Sequence, residues 1–140
     1  MNLQLSQAGE SQIRRLAAEA YPHECCGFLI GEEKDGVRWV DSVVAALNQN
    51  STSPHNRFLI TPEALRIMEQ KLDGMPSQLI GFFHSHPDSP ARPSTFDLDH
   101  AWPWYSYVIV SASSAQTGDL KCWRLTDDRS RFQEEAVGVR

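Results

Sequence analysis

A mixed β-sheet flanked by helices, in the α/β (α+β) class, is the fold that this chain predicts, on three observations. Segments with helical periodicity alternate with short apolar runs of strand length. Clusters of Gly, Pro, Asn and Asp separate them. A length of 140 residues, 41% of them hydrophobic, suffices to bury one core without staples, so a single domain over residues 1–140 is expected.

Residues 6–21 read as an amphipathic helix. Ile13, Leu16, Ala17 and Ala20 recur at three- and four-residue steps among Gln12, Arg14, Arg15 and Glu19, and Pro22 stops the helix. Residues 26–30 form an apolar run closed by Gly31 and a charged turn over 32–36. Residues 37–47 are a second β-rich stretch, so the two predict a hairpin. The polar run 48–56 predicts a long loop, and residues 57–60 a short strand. Thr61 as N-cap and Pro62 at the first helical position open a second helix, with Leu65, Met68 and Leu72 on one face and Gly74 and Pro76 ending it. Residues 79–84 are a strongly apolar strand, followed by a turn-rich loop over 87–93 that holds three prolines. Ser94-x-x-Asp97 starts a third helical turn, a capping box with Asp in place of Glu. Residues 105–111 and 120–125 predict two further strands, with Thr117-Gly118-Asp119 turning between them.

Composition excludes several function classes. A net charge of −5 argues against a partner gripped through phosphates, so no nucleic acid is expected. The longest strictly apolar run is five residues, 43–47, which is far short of a membrane span. The opening MNLQLSQAGE has no basic n-region and no long apolar h-region, so no secretory signal is expected. Cys25, Cys26 and Cys122 are odd in number and two are neighbours, which implies no disulfide framework and fits a reduced, cytoplasmic setting. Cys25 and Cys26 read as small buried hydrophobes rather than as a thiol nucleophile beside His23. Monomer and homodimer are both open.

The chemistry is concentrated in His84-Ser-His86. Side chains two apart on a strand point the same way, with Cα atoms roughly 6.6 Å apart, so the two imidazoles can converge on one ion. Asp97, in the first turn of a helix whose dipole favours the carboxylate, supplies a third ligand. Three protein ligands leave a fourth position open, which marks a catalytic metal site rather than a structural one. Two imidazoles and a carboxylate suit several divalent ions, zinc and iron among them. Activating water there needs a proton acceptor and the leaving amine a donor; Glu24, between the first helix and an apolar strand, is the candidate. Ser94 is placed to hydrogen-bond the oxyanion, although Ser three before Asp is also an ordinary helix start. Ser85 faces the opposite side by alternation and reads as structural. His55 and His100 read as surface groups or neighbours of the site, and Asp99 as a lesser candidate for orienting a ligating imidazole. Trp102, Trp104, Tyr105 and Tyr107 read as core or sheet-face aromatics.

The set Glu24 followed by His84-x-His86-x7-Ser94-x2-Asp97 resembles the JAMM, or MPN-plus, zinc metallopeptidases. With five His in 140 residues, His-x-His with Ser and Asp at both later positions arises by chance roughly 0.001 times per chain. Cys26-Gly27 running into an apolar strand, Gly81-Phe82-Phe83 before the first His and Pro87 after the second also fit. The resemblance spans roughly residues 10–125. It implies zinc on His84, His86 and Asp97, Glu24 as general acid/base, Ser94 as oxyanion support, and a JAMM/MPN-like mixed sheet flanked by helices with cytidine-deaminase-like layering. Without the inserted segments of the ubiquitin-chain-cleaving members, the chain is more similar to the small stand-alone bacterial type. Those enzymes hydrolyse a bond at the C-terminal Gly-Gly end of ubiquitin-like sulfur-carrier proteins and release an amino acid or short extension. Two alternatives stand beside this one: a non-catalytic MPN-type scaffold or binding module, and a metal-dependent amidase acting on a small or unrelated peptide substrate.

Overall fold

In the computed structural model, which describes residues 2–46, 60–114 and 116–140, strands and helices alternate much as the periodicity predicts. The elements are β1 (Asn2–Leu5), α1 (Gln7–Ala20), β2 (Cys26–Lys34), β3 (Val37–Ala46), α2 (Pro62–Leu72), β4 (Gln78–Pro87), α3 (Thr95–His100), β5 (Ser106–Ser113), β6 (Gln116–Leu125) and β7 (Phe132–Val139).

Local chemistry accounts for most boundaries. Ser6 caps α1 by accepting the Gly9 N–H, and Thr61 caps α2 by accepting the Ala64 N–H. The β2–β3 hairpin turns at Asp35-Gly36, both with positive φ (54° and 77°), the backbone a tight hairpin needs to match strand twist. The polar run 48–56 and residues 57–59 lie outside the described residues; Ile60 is buried and belongs to no strand.

The strands form one mixed sheet in the order β1-β3-β2-β4-β5-β6-β7, and β7 pairs with β1 to close it. β1 runs parallel to β3 and β7, and β4 parallel to β5; the remaining pairs are antiparallel. Closure depends on β1 and β7, for which the sequence carries no strand signal. β1 is four residues long with only Leu3 and Leu5 in alternation, too brief for a period to register. β7 carries Glu134 and Glu135 in its middle, and pairing with two neighbours overrides that weak propensity.

One expected turn is misplaced. Thr117-Gly118-Asp119 lies inside β6, and the chain reverses after Ser113, where Ser114 has φ 47°. The β5–β6 register shifts between Val110 and Ala112, so Gly118 and Asp119 sit at an irregularity opposite Ser111. A Cβ at Gly118 would come within 2.7 Å of the Ser111 hydroxyl. The Gly-Asp pair thus marks a bulge, which draws on the same residue types as a turn.

Each sheet face buries its own core. Leu3, Leu5, Ile13, Ala17, Leu29, Ile80, Phe83, Val108 and Val110 pack with α1; Phe28, Met68, Phe82, Tyr107 and Leu125 pack on the face of α2 and α3. Tyr107 and Trp102 join the second core as expected, but Trp104 is 42% exposed and lies flat over the buried Arg38, its ring centroid 4.0 Å from the guanidinium carbon. Strand alternation along β4 then assigns Phe83 and Ser85 to the α1 face, and Phe82, His84 and His86 to the other. Gly81 is required by close approach: a Cβ there would run into the Ser106 carbonyl oxygen on β5. Among the described residues no helix is long and apolar enough to cross a membrane.

Candidate metal centre and its cleft

Two elements bring the three predicted ligands together. β4 presents His84 and His86 on one face, and α3, entered through the Pro-rich loop, presents Asp97. Ser94 is the N-cap of α3: its Oγ accepts the Asp97 N–H at 3.1 Å, and its own N–H donates to Asp97 Oδ2 at 2.8 Å. The capping box therefore aims the carboxylate as well as starting the helix.

The resulting triangle is tight. His84 Nε2 lies 3.1 Å from His86 Nε2 and 3.3 Å from Asp97 Oδ2, and His86 Nε2 lies 3.1 Å from the same oxygen. Ligand atoms 2.0–2.1 Å from one tetrahedral ion stand about 3.3 Å apart, so the three atoms already have the spacing of a coordination face. All three side chains are buried.

Their protonation states suit a cation. Burial is the main influence on His84 and pushes its pKa below the ordinary value, outweighing the pull of Asp97 in the other direction, so this imidazole is neutral at pH 7. Burial acts to raise the Asp97 carboxyl, but His84, His86 and the Ser94 N–H together outweigh it and hold Asp97 well below the usual carboxylate range. His86 Nδ1 lies 2.9 Å from the Pro90 carbonyl oxygen, which can only accept. A proton on Nδ1 satisfies that oxygen and leaves Nε2 as the ring atom that would ligate a metal. Two ring nitrogens and a carboxylate oxygen converging at such distances in a buried site are a donor set that fits a divalent ion.

Glu24 is placed by a register argument. β2 and β4 are antiparallel with Cys26 opposite His84, so Glu24, two residues earlier, comes opposite His86 on the same face. The sequence places it at a strand approach, where a lone Glu is ordinarily solvated; the structure buries it at 5% exposure. Ser85 holds the connection: its N–H donates to the Cys25 carbonyl at 3.1 Å and its Oγ accepts the Cys25 N–H at 2.9 Å. Glu24, His86 and Ser94 line one open cleft of about 490 Å³, walled by Pro87, Pro90 and Pro93.

Other expectations sort plainly. The orienting partner of His86 is the Pro90 carbonyl, and Asp99 is exposed. A backbone carbonyl leaves no mark on residue type; the Pro-rich loop was the one available signal. His100 is exposed and stacks on Phe96, its Nδ1 2.9 Å from the Phe96 carbonyl oxygen. His55 lies outside the described residues. The three cysteines are free, with Cys26 and Cys122 buried and Cys25 half-buried.

Known proteins resemble this chain along nearly its whole length. Residues 6–126 match the prokaryotic homologues of the JAB domain. A desampylase from Haloferax volcanii is 31% identical over 132 residues, which are 92% of this chain and 87% of the relative. A solution structure of a Desulfitobacterium hafniense protein superposes with a TM-score of 0.83 at 28% identity, covering 99% of this chain and 92% of the other. A JAB1/MPN domain protein from Archaeoglobus fulgidus has the same fold, with a TM-score of 0.60 at 19% identity over 99% of this chain and 96% of that one. With the family match extending from the first helix through β6, this chain belongs to the prokaryotic JAB-domain family and is a JAMM-type hydrolase.

Proposed function

We propose that the protein hydrolyses the peptide or isopeptide bond at the C-terminal tail of a ubiquitin-like sulfur-carrier protein, releasing an amino acid or short extension. In this reading zinc is held by His84, His86 and Asp97. The observation that supports it best is the 3.1–3.3 Å donor triangle sharing a cleft with the buried Glu24. The likeness to a desampylase supports a ubiquitin-like partner.

When bound, the divalent ion supplies Lewis acidity that polarises the scissile carbonyl and makes water nucleophilic near neutral pH. The chain's own groups do the rest. Glu24 takes a proton from the attacking water and returns it to the departing nitrogen as the C–N bond breaks, so one water is consumed and a carboxylate and an amine are released. The Ser94 hydroxyl keeps its own hydrogen while accepting the Asp97 N–H, and is free to donate it to the developing oxyanion. Pro87, Pro90 and Pro93 give the cleft a stiff wall along which, in this reading, an extended tail lies.

The test is direct. Metal-loaded protein is incubated with ubiquitin-like carriers bearing C-terminal extensions, with and without chelator, and masses are read. Chelator-sensitive loss of the extension supports the reading. A protein that retains zinc yet leaves every carrier fusion intact returns the scaffold alternative.

A further inference from the structure

We infer that Arg92 determines specificity: its guanidinium receives the free α-carboxylate of the leaving amino acid, so the preferred substrate ends immediately after the scissile bond. This deepens the hydrolase reading and rests on it for the identity of the bond cleaved.

The backbone around Arg92 is tied down on both sides. Its N–H donates to the Pro90 carbonyl at 2.8 Å, the same oxygen that lies 2.9 Å from His86 Nδ1. The neighbouring Ala91 is 2% exposed and its carbonyl accepts the Trp123 indole N–H at 3.0 Å. Pro93 follows, and Ser94 is bonded to Asp97. The Cα of Arg92 is thus held in register with two of the three metal-site side chains.

The side chain is the opposite. It is exposed, it lines the cleft with Glu24, His86 and Ser94, and it makes no hydrogen bond or ion pair among the described residues. Two acids nearby in the chain are engaged elsewhere, while Glu24 lines the same cleft. Asp97 faces His84 and His86, and both oxygens of Asp88 accept the Tyr21 hydroxyl, at 2.8 and 2.9 Å. A rigidly mounted, unneutralised guanidinium in an otherwise acidic chain is built to receive an anion from outside. Its planar fork matches a carboxylate.

The reaction supplies that carboxylate. Departure of a single amino acid puts its carboxylate one Cα away from the nitrogen that Glu24 protonates. In a conjugate joined through a lysine side chain, the leaving residue's carboxyl is consumed in a peptide bond. A terminal carboxylate and an acidic side chain share one chemistry; the cleft favours the terminal one, because it lies closest to the scissile bond.

The test uses a carrier ending Gly-Gly-Ala as the free acid, the same carrier as the carboxamide, and a Gly-Gly-Glu carboxamide. Wild-type protein is expected to prefer the free acid about fivefold in kcat/KM, expressed mainly in KM. Arg92→Ala should collapse the acid-to-amide ratio toward one, and Arg92→Lys should retain part of it. A ratio near one in the wild type overturns the inference, as does an equal loss on both substrates in Arg92→Ala, or a Glu carboxamide that matches the free acid. A second readout is independent of turnover. With metal removed by chelator, acetyl-Gly-Gly-Ala acid and carboxamide are titrated into each protein and followed by NMR. Tighter binding of the acid to wild type alone supports the assignment even if no carrier is cleaved, and equal affinities refute it.

Discussion

Ser85 and Cys25 exchange two hydrogen bonds across β2 and β4, Ser85 N–H to the Cys25 carbonyl at 3.1 Å and Cys25 N–H to Ser85 Oγ at 2.9 Å. Ser85 stands between the two histidines, and Cys25 follows Glu24. One buried hydroxyl therefore couples the candidate acid/base to the candidate ligands. Ser85→Ala leaves the Cys25 N–H without its acceptor, and a loss of about 1–3 kcal/mol is expected in urea unfolding. Activity should fall further than metal content, since the segment bearing Glu24 keeps only the backbone bond of the two while the ligands keep all their contacts. Unchanged turnover in this variant would sever that link.

Glu24→Gln should retain stoichiometric zinc and lose turnover, because the three donors survive while proton transfer fails. His84→Ala should lose both. Metal content by atomic absorption, measured beside hydrolysis, separates the two. Zinc retained at full stoichiometry in His84→Ala contradicts the ligand set.

Ser94 caps α3, and in the proposed mechanism it also donates to an oxyanion. Gly is tolerated at an N-cap at a cost of only a few tenths of a kcal/mol but carries no side-chain donor. Ser94→Gly is expected to unfold within about 0.5 kcal/mol of the wild type and to lose about 10²-fold in kcat. A variant with near-normal kcat confines Ser94 to capping.

Arg38 is fully buried, donating to the Ile80 carbonyl and the Ser106 hydroxyl, both at 3.0 Å, and to Glu33 at 2.9 Å, beneath Trp104. Arg38→Ala strips partners from groups on β4 and β5, the strand pair that carries the histidines. A loss on the order of 3 kcal/mol is expected in chemical denaturation. A loss below 1 kcal/mol would show that water replaces the guanidinium at no cost.

Burial pushes the Cys122 thiol up to about 12, with Glu135 adding to the effect. The folded state then binds this proton more tightly than the unfolded chain does. Its contribution to stability is intact below the unfolded thiol pKa near 8.5–9 and is lost as pH rises toward 12. Native protein at pH 8 should leave Cys122 unmodified by iodoacetamide, while the protein in denaturant is alkylated there. Peptide mass mapping reads the outcome, and rapid native alkylation at Cys122 would place the thiol in a far less buried setting.

The helices, the hairpin, the histidine-bearing strand and the spacing of the candidate donors were legible along the chain. Each of these is local: a cap such as Ser6 or Thr61, a Gly36 turn, or an alternation of two along β4 acts between residues close in the chain. The capping box at Ser94 and Asp97 was legible for the same reason. Tertiary structure alone decided closure of the sheet, because β1 and β7 become strands by pairing with partners distant in the chain rather than by their own propensity. It also decided that Thr117-Gly118-Asp119 is a bulge, since turn and bulge use the same residues and only the register with β5 distinguishes them. The Pro90 carbonyl on His86 and the Cys25 N–H on Ser85 each pair a side chain with a main-chain group, and main-chain groups are the same in every residue until the fold aims them.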